Sequence, residues 1–218
     1  MKIIVLGASG MLGFGVFKTL LKRADLHLYG TVRNKKRFKK YFSEQEYQRL
    51  IEFDFYNHTN QISEIIQDIS PDYVINCIGL ITQEKENDKS HSSYISLNSL
   101  FPHKVAEACD KNGSRLIHFS TDCVFSGQEG NYSESDTPDA YDTYGRSKLL
   151  GEINYSNHIT LRISLIGHEL VSKKSLVDWF LTQNQVVGYD RVIFSGLPVN
   201  HIADSLYDFV FPNDQLKG

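Results

Sequence analysis

Short apolar runs alternate with longer amphipathic segments along most of the chain. The runs are rich in β-branched residues, which is typical of buried strands, and they cover residues 2–6, 27–32, 51–53, 72–77, 115–119 and 159–164. The segments between them have the apolar spacing of helices and cover residues 11–22, 35–50, 61–69, 92–111 and 144–155. This alternation predicts an α/β fold, a doubly wound parallel sheet.

After residue 164 the alternation is less regular. The pattern there predicts a helix at residues 175–182, a short strand at residues 192–194 and a final helix at residues 200–209. Within the predicted helix at residues 92–111, Pro102 lacks the N–H that an α-helix requires. We therefore expect this helix to be kinked near Phe101 or to consist of two pieces.

Three glycines stand where the first predicted strand gives way to the first helix. Gly7, Gly10 and Gly13 follow the apolar run at residues 3–6. Glycines at such a junction let the backbone turn tightly and approach a pyrophosphate, whose charge the helix N-terminus favours. The junction therefore predicts a nucleotide-binding turn.

A second candidate group combines a phenol, an ammonium and a hydroxyl. Tyr144 and Lys148 lie one helical turn apart on the same face, so the Lys148 charge should lower the pKa of Tyr144 toward neutrality. Thr121 ends a predicted strand, and strand ends face the ligand crevice in such sheets. We expect the Thr121 hydroxyl to bind a substrate carbonyl oxygen while Tyr144 gives that oxygen a proton.

A resemblance to a known family rests on the glycine pattern and two further segments. These segments are Ser120-Thr-Asp-Cys-Val-Phe-Ser-Gly127 and Tyr144-Gly-Arg-Ser-Lys-Leu-Leu-Gly-Glu152. From Met1 to about Ala203 the chain resembles the extended short-chain dehydrogenase/reductase family, most closely its dTDP-4-dehydrorhamnose reductase group. The resemblance implies a Rossmann fold and a catalytic trio. The trio is Thr121, Tyr144 and Lys148, and the implied substrate contacts are Thr121, Asp122, Val124 and Phe125. Asp122 either holds its loop or contacts sugar hydroxyls.

The same resemblance implies a set of cofactor-binding residues. They are Gly7, Ser9, Gly10, Met11, Leu12, Gly13, Arg33, Asp54, Asn76, Cys77, Ile78, Gly79, Asn98, Tyr144, Lys148 and Ser164. An alternative role for Asn98 is as a local partner of the helix kink near Pro102. The second predicted strand ends in Arg33 rather than in a carboxylate, and a guanidinium binds phosphate in a bidentate manner. NADP(H) is therefore the expected cofactor.

Composition and charge exclude several other classes. The 218 residues carry a formal net charge of −3, which gives no overall basic field for nucleic acid or a membrane surface. Three cysteines without paired spacing, the lack of an apolar run of about 18 residues and the lack of a leader predict a soluble cytoplasmic protein. The eight histidines show no metal-ligand spacing, so no metal site is expected.

Members of the family that the chain resembles continue beyond the segment at residues 194–199 to complete a small substrate lobe. We therefore expect an NADP-binding Rossmann domain at residues 1–164 and an incomplete substrate-binding lobe at residues 165–218. Apolar surface near Trp179, Phe180, Phe209 and Phe211 should then be partly uncovered, which favours self-association, such as a homodimer.

The resemblance implies an NADPH-dependent oxidoreductase that reduces a nucleoside-diphosphate 4-keto-6-deoxyhexose in deoxysugar or polysaccharide synthesis. Two alternatives remain open. One is a sugar-nucleotide epimerase or dehydratase, which keeps its NAD; Arg33 argues against it. The other is a non-catalytic NADP-binding regulatory subunit, such as that of methionine adenosyltransferase, since fold similarity does not settle function.

Overall fold

A computed structural model of the chain describes residues 1–56, 61–81 and 90–217. Within these residues six parallel strands form one sheet: β1 (Lys2–Leu6), β2 (His27–Val32), β3 (Leu50–Glu52), β4 (Tyr73–Asn76), β5 (Arg115–Thr121) and β6 (Ile159–Ile163). Their order is β3-β2-β1-β4-β5-β6. The order reverses between β1 and β4, the position where sheets of this type bind ligands. The predicted doubly wound Rossmann fold is confirmed.

Helices connect the strands. The described helices are α1 (Met11–Leu20), α2 (Lys35–Phe38), α3 (Glu44–Gln48), α4 (Gln61–Ile69), α5 (His91–Tyr94), α6 (Phe101–Asn112), α7 (Thr143–Leu149), α8 (Leu176–Leu181) and α9 (Val199–Ser205). A π-helical segment, Ile95–Leu100, joins α5 to α6, and a second, Leu206–Val210, extends α9. Two short strands, β7 (Leu165–Ile166) and β8 (Leu197–Pro198), form a separate parallel pair. Within the described ranges, no helix has the length and apolar character needed to span a bilayer.

The sheet has an apolar core on each face, which explains the continuous apolar runs of its strands. Ile3 and Val5 of β1 belong to the core that α1 and α9 cover, while Ile4 and Leu6 belong to the core under α4 and α6. All four side chains are fully buried. The strand therefore lies in the middle of the molecule, and its carboxyl end delivers the glycine turn to the sheet edge.

Three of the predicted elements differ from the structure. The predicted helix at residues 35–50 is interrupted, because Phe42 is extended and Ser43 starts α3 with a capping box to Glu46. The predicted helix at residues 144–155 ends at Leu149, where the chain turns before Gly151. The predicted strand at residues 192–194 is absent, and the strand in this region, β8, starts at Leu197.

The interruption predicted near Pro102 is confirmed. The Phe101 N–H donates to the Ser96 carbonyl, five residues back, and the α-helical pattern resumes with Pro102 in the first turn of α6. A proline is tolerated there because first-turn amides have no partner within the helix. The π segment before it carries Asn98 into the core.

The C-terminal part of the chain returns to the sheet. Helix α9 packs on α1 so closely that a Cβ on Gly15 would overlap the Val199 side chain. Phe211 is buried and its ring lies 4.9 Å from that of Tyr73. The prediction that Phe211 is uncovered is therefore wrong. The division into two parts at residue 164 stays a prediction, but residues 202–211 share the core of the first part.

Candidate active site

The turn between β1 and α1 has a conformation that glycine favours. Gly7 has a positive φ of 82°, which side chains disfavour, and its N–H donates to the Thr31 hydroxyl at 3.0 Å. A Cβ on Gly13 would overlap the Gly7 carbonyl. Gly10 provides no side-chain cap, and the first turn of α1 holds no acidic residue. The start of this helix therefore fits a pyrophosphate group.

Three more predicted cofactor residues lie in the turn and the start of α1. They are Ser9, Met11 and Leu12, and all three are half-buried. Met11 packs toward the segment after β7, since a Cβ on Gly167 would lie 3.1 Å from its Cγ. The structure thus brings these residues to the same edge of the sheet as the glycines. Their contacts with a cofactor stay a prediction.

Thr121 and Tyr144 meet at the carboxyl end of β5. The two side chains lie close enough for the Thr121 hydroxyl to influence the pKa of Tyr144, and the Thr121 oxygen accepts the Cys123 N–H at 3.2 Å. Tyr144 lies in the first turn of α7, which Asp142 begins by accepting the Gly145 N–H at 2.9 Å. The two predicted catalytic side chains are therefore neighbours, held by the end of a strand and the start of a helix.

Lys148 lies one turn further along α7, with its side chain buried. Its Nζ donates to the Phe119 carbonyl oxygen at 2.6 Å. Burial lowers the pKa of Lys148 to about 8, although the charge of Glu152 opposes the shift. The charged form of Lys148 is thus destabilised by burial, at the edge of the sheet where the site lies.

The expected effect of Lys148 on Tyr144 is wrong. The pKa of Tyr144 is raised to about 12, mainly by burial. Cys123, Asp122 and Asp142 act in the same direction, and only the neighbouring Thr121 side chain opposes them. The reason is geometric, since the Lys148 ammonium is directed to the Phe119 carbonyl. Tyr144 therefore holds its proton at neutral pH.

The segment after β4 lies between the glycine turn and Lys148. A Cβ on Gly7 would lie 2.9 Å from Ile78 Cγ1, and a Cβ on Gly79 would lie 3.7 Å from Lys148 Nζ. The Cys77 N–H donates to the Leu6 carbonyl at 3.1 Å. The structure therefore brings these predicted cofactor residues together with the turn and Lys148.

Asn98 holds this segment against α7. Its Oδ1 accepts the Leu80 N–H at 2.8 Å, and its Nδ2 donates to the Leu80 carbonyl and to the Ser147 hydroxyl, each at 3.1 Å. The side chain is fully buried. Asn98 therefore connects elements of the site, as the alternative role near the helix kink implies, and its contact with a cofactor stays a prediction.

Arg33 follows β2 and is exposed. The next residue, Asn34, caps α2 by accepting the Arg37 N–H at 2.9 Å, and the Lys35 N–H donates to Glu52 at 2.8 Å. Arg33 is thus on an ordered helix start next to the end of β3. Asp54, two residues beyond β3, is half-buried and accepts the Tyr56 N–H at 3.2 Å.

The predicted substrate residues have different environments. Asp122 is exposed and accepts a hydrogen bond from the Thr121 hydroxyl at 3.1 Å. Val124 is fully buried, and its carbonyl accepts the N–H groups of residues 139 and 140. Phe125 stacks on Tyr132 at 4.4 Å, with Arg162 over its ring. Val124 therefore anchors the loop at residues 126–142, whereas Asp122 borders the site.

Ser164, the remaining predicted cofactor residue, links the two small strands, since its carbonyl accepts the Leu197 N–H at 3.0 Å.

The sequence did not predict two residues that support the site. Thr31 holds the glycine turn, and Ser147 holds Asn98. Sequence reasoning also missed Asp142, although an aspartate just before a predicted helix is an N-cap signal. Among the described residues, no group of three or more His, Cys, Asp or Glu side chains is placed to hold a metal ion.

Comparison with known proteins agrees with this geometry. A model of the RmlD substrate binding domain family matches residues 1–185. The chain belongs to this family. Among curated relatives in sequence, the probable low-salt glycan biosynthesis reductase Agl14 of Haloferax volcanii is 32% identical over 159 residues, 70% of this chain and 48% of the relative. Methionine adenosyltransferase 2 subunit beta of Danio rerio is 29% identical over 179 residues, 78% of this chain and 49% of the relative.

This RmlD-family chain thus spans about half the length of the curated relatives it matches.

Solved structures share its fold. A hypothetical dTDP-4-dehydrorhamnose reductase from Sulfolobus tokodaii superposes with a TM-score of 0.76 at 22% identity, covering 100% of this chain and 74% of that one. The dTDP-4-dehydrorhamnose reductase of Bacillus anthracis, in complex with NADP, gives 0.74 at 21% identity, covering 99% and 73%.

Proposed function

We propose that this chain binds NADP(H) and forms the cofactor-binding and proton-donating part of a nucleotide-sugar reductase. The expected substrate is a nucleoside-diphosphate 4-keto-6-deoxyhexose. The observation that carries the proposal is that the Thr121 and Tyr144 side chains lie together at the sheet edge that also holds the glycine turn. Family membership and the dTDP-4-dehydrorhamnose reductases that share the fold support it.

The residues of the chain fit the proposed cofactor. The turn from Gly7 to Gly13 has no space for side chains at its two closest points, as the close approach of a pyrophosphate requires. Arg33 supplies an exposed guanidinium at the end of β2, where a 2′-phosphate would be bound. Gly79 lies beside Lys148, so the nicotinamide half would lie between the segment after β4 and α7.

The reaction requires a proton donor and a site for the carbonyl oxygen of the substrate. When bound, NADPH supplies the hydride that reduces the carbonyl carbon. Thr121 and Tyr144 would both hydrogen-bond the carbonyl oxygen, and the Tyr144 O–H bond would break as that oxygen takes the proton. Because the pKa of Tyr144 is about 12, the group is protonated at neutral pH.

The non-catalytic alternative keeps support from two observations. Methionine adenosyltransferase 2 subunit beta is among the relatives, and the Lys148 ammonium bonds to a backbone carbonyl, so it does not lower the pKa of Tyr144. A binding subunit would need the glycine turn and Arg33 but no proton donor. The epimerase alternative would instead need a tightly kept NAD, which Arg33 disfavours.

The test compares NADPH binding with NADPH consumption. Binding of NADPH and NADH is measured by fluorescence titration, and absorbance at the reduced-nicotinamide band follows turnover with dTDP-4-keto-6-deoxyglucose. We expect Tyr144→Phe to bind NADPH like the parent and to turn over about 10²–10⁴ times more slowly, since it lacks a positioned general acid. Tyr141→Phe is the matched control, because Tyr141 is exposed and lies only three residues away.

Each outcome distinguishes the proposals. Turnover that depends on Tyr144 but not on Tyr141 supports the reductase. NADPH binding without turnover by the parent supports the regulatory subunit, and co-purified NAD that does not exchange supports the epimerase. Equal affinity for NADH and NADPH would contradict the role given to Arg33.

A further inference from the structure

His118 is a buried polar residue of β5 to which the proposed reaction assigns no role. It is fully buried, and its Nδ1 lies 3.1 Å from Nδ2 of Asn76, the last residue of the neighbouring strand β4. Asn76 is buried as well. The pair thus joins two strands at the edge of the sheet where the site lies.

The hydrogen bonds determine which atom of the pair donates. Oδ1 of Asn76 accepts the Ile78 backbone N–H at 3.1 Å, and a backbone N–H can only donate. Nδ2 of Asn76 therefore faces His118 as a donor, and Nδ1 of His118 must accept. The imidazole is then neutral, with its proton on Nε2. Burial lowers the pKa of His118, and the nearby charges of Lys148 and His103 add to this, in agreement with a neutral ring.

This arrangement has a cost. Within the described residues Nε2 of His118 is buried without a hydrogen-bond partner, and an unpaired buried donor costs on the order of 1–3 kcal/mol. A leucine or methionine at this position would avoid that cost. What an apolar side chain would lack is the acceptor that orients Asn76.

Asn76 in turn sets the start of the segment that contacts the site. Its bond to the Ile78 N–H shapes residues 76–78, and Ile78 lies against Gly7. Leu80, two residues after Ile78, is held by Asn98, whose side-chain amide bonds both the N–H and the carbonyl of Leu80. Gly79, which adjoins Lys148, is therefore held between two buried amide side chains.

We propose that His118 is a positioning residue for the site. Through Nδ1 it orients Asn76, which places residues 77–79 between the glycine turn and Lys148 for the nicotinamide half of the cofactor. This inference rests on the proposed function. His118 itself touches neither cofactor nor substrate.

The test uses two substitutions that differ in one acceptor. His118→Asn keeps an oxygen near the position of Nδ1, whereas His118→Leu replaces the ring by an apolar group. We expect His118→Leu to raise the dissociation constant for NADPH at least about tenfold, which is a loss of about 1.4 kcal/mol. We expect His118→Asn to stay within about threefold of the parent. Circular dichroism and thermal unfolding confirm that each variant is folded.

A second measurement needs no cofactor. Long-range ¹H–¹⁵N spectra of the parent protein should show Nδ1 of His118 unprotonated and Nε2 protonated from pH 8 to pH 5. A proton on Nδ1, a folded leucine variant with parental NADPH affinity, or an asparagine variant as impaired as the leucine variant would overturn the inference. If the parent does not bind NADPH, the proposed function fails, while the spectra still decide the orientation of the pair. If the leucine variant does not fold, the asparagine variant and the spectra decide.

Discussion

At the scale of single residues, Lys148 is the clearest case in which the proposed function opposes stability. Burial lowers its pKa from an ordinary 10.5 to about 8. Below pH 8 the folded state therefore pays for a charge that the unfolded chain solvates freely, a difference of up to about 3 kcal/mol at about 1.4 kcal/mol per pKa unit.

We expect Lys148→Met to be more stable than the parent at pH 7, by about 1–3 kcal/mol in urea unfolding. The sign follows from the lowered pKa of Lys148 in the folded state. Between pH 8 and pH 10.5 the unfolded parent binds more protons than the folded parent, so the free energy of unfolding of the parent rises with pH. The stability advantage of the variant therefore shrinks over this range. Lys111→Met, at an exposed lysine of α6, is the control and should change stability by less than about 0.5 kcal/mol. A destabilised Lys148→Met would show that the bond to Phe119 outweighs the burial of charge.

The sequence located Tyr144, Lys148 and Thr121 because motif spacing specifies residue type and relative position. It gave the wrong direction for the Tyr144 pKa, since spacing along α7 does not reveal that Lys148 reaches the Phe119 carbonyl on a different element. His118 gave no signal, because a histidine within an apolar strand looks the same whether it orients a neighbour or fills space.

At the scale of elements, the junction of β1 and α1 depends on how closely backbone approaches backbone. A Cβ on Gly13 would overlap the Gly7 carbonyl, whereas a Cβ on Gly10 would lie 3.5 Å from the same oxygen. We expect Gly13→Ala to lose at least about 2 kcal/mol of stability and most NADPH affinity, because backbone must move. Gly10→Ala should keep the stability of the parent. Thermal unfolding with NADPH titration of both variants checks this, and equal loss in the two would contradict it.

The periodicity of the sequence predicted every strand of the central sheet, because a buried parallel strand requires a continuous apolar run. It joined α2 to α3 as one helix, since the apolar spacing continues through Phe42. The capping box of Ser43 with Glu46 was the readable signal for a new helix start. The short pair β7 and β8 could not be predicted, because each strand has two residues and its pairing depends on distant chain.

At the scale of the whole molecule, the C-terminal segment is tied to the sheet. Buried Arg115 of β5 donates to the carbonyl oxygens of Asn157, Asn213 and Leu216. The Tyr73 hydroxyl donates to the Phe211 carbonyl at 3.3 Å. These bonds connect β4 and β5 to the last residues described.

We therefore expect Phe211→Ala to destabilise the fold by about 3–5 kcal/mol, the usual cost of removing a buried phenylalanine. Phe209→Ala is the matched control, since Phe209 is 69% exposed, and it should change stability by less than about 0.5 kcal/mol. Urea unfolding of both variants measures the difference. Equal effects would show that residues 206–211 do not belong to the core of the sheet.

The segment at residues 176–197 has the opposite character. Many of its large apolar side chains are exposed, including Trp179, Phe180, Val187 and Ile193. Exposed apolar side chains in such number favour association between molecules. Because Trp179 is the single tryptophan of the chain, its fluorescence reports directly on whether this surface becomes covered.

We expect the emission of Trp179 to shift to shorter wavelength as protein concentration rises, in step with a larger species in size-exclusion chromatography. Replacing Phe180 and Ile193 together by serine should shift association to higher concentration by at least about tenfold, because apolar area is removed from the contact. Leu150→Ser is the control, since Leu150 is as exposed but lies at the end of α7. A monomer with constant emission at all concentrations would show that this surface is stable in water as it stands.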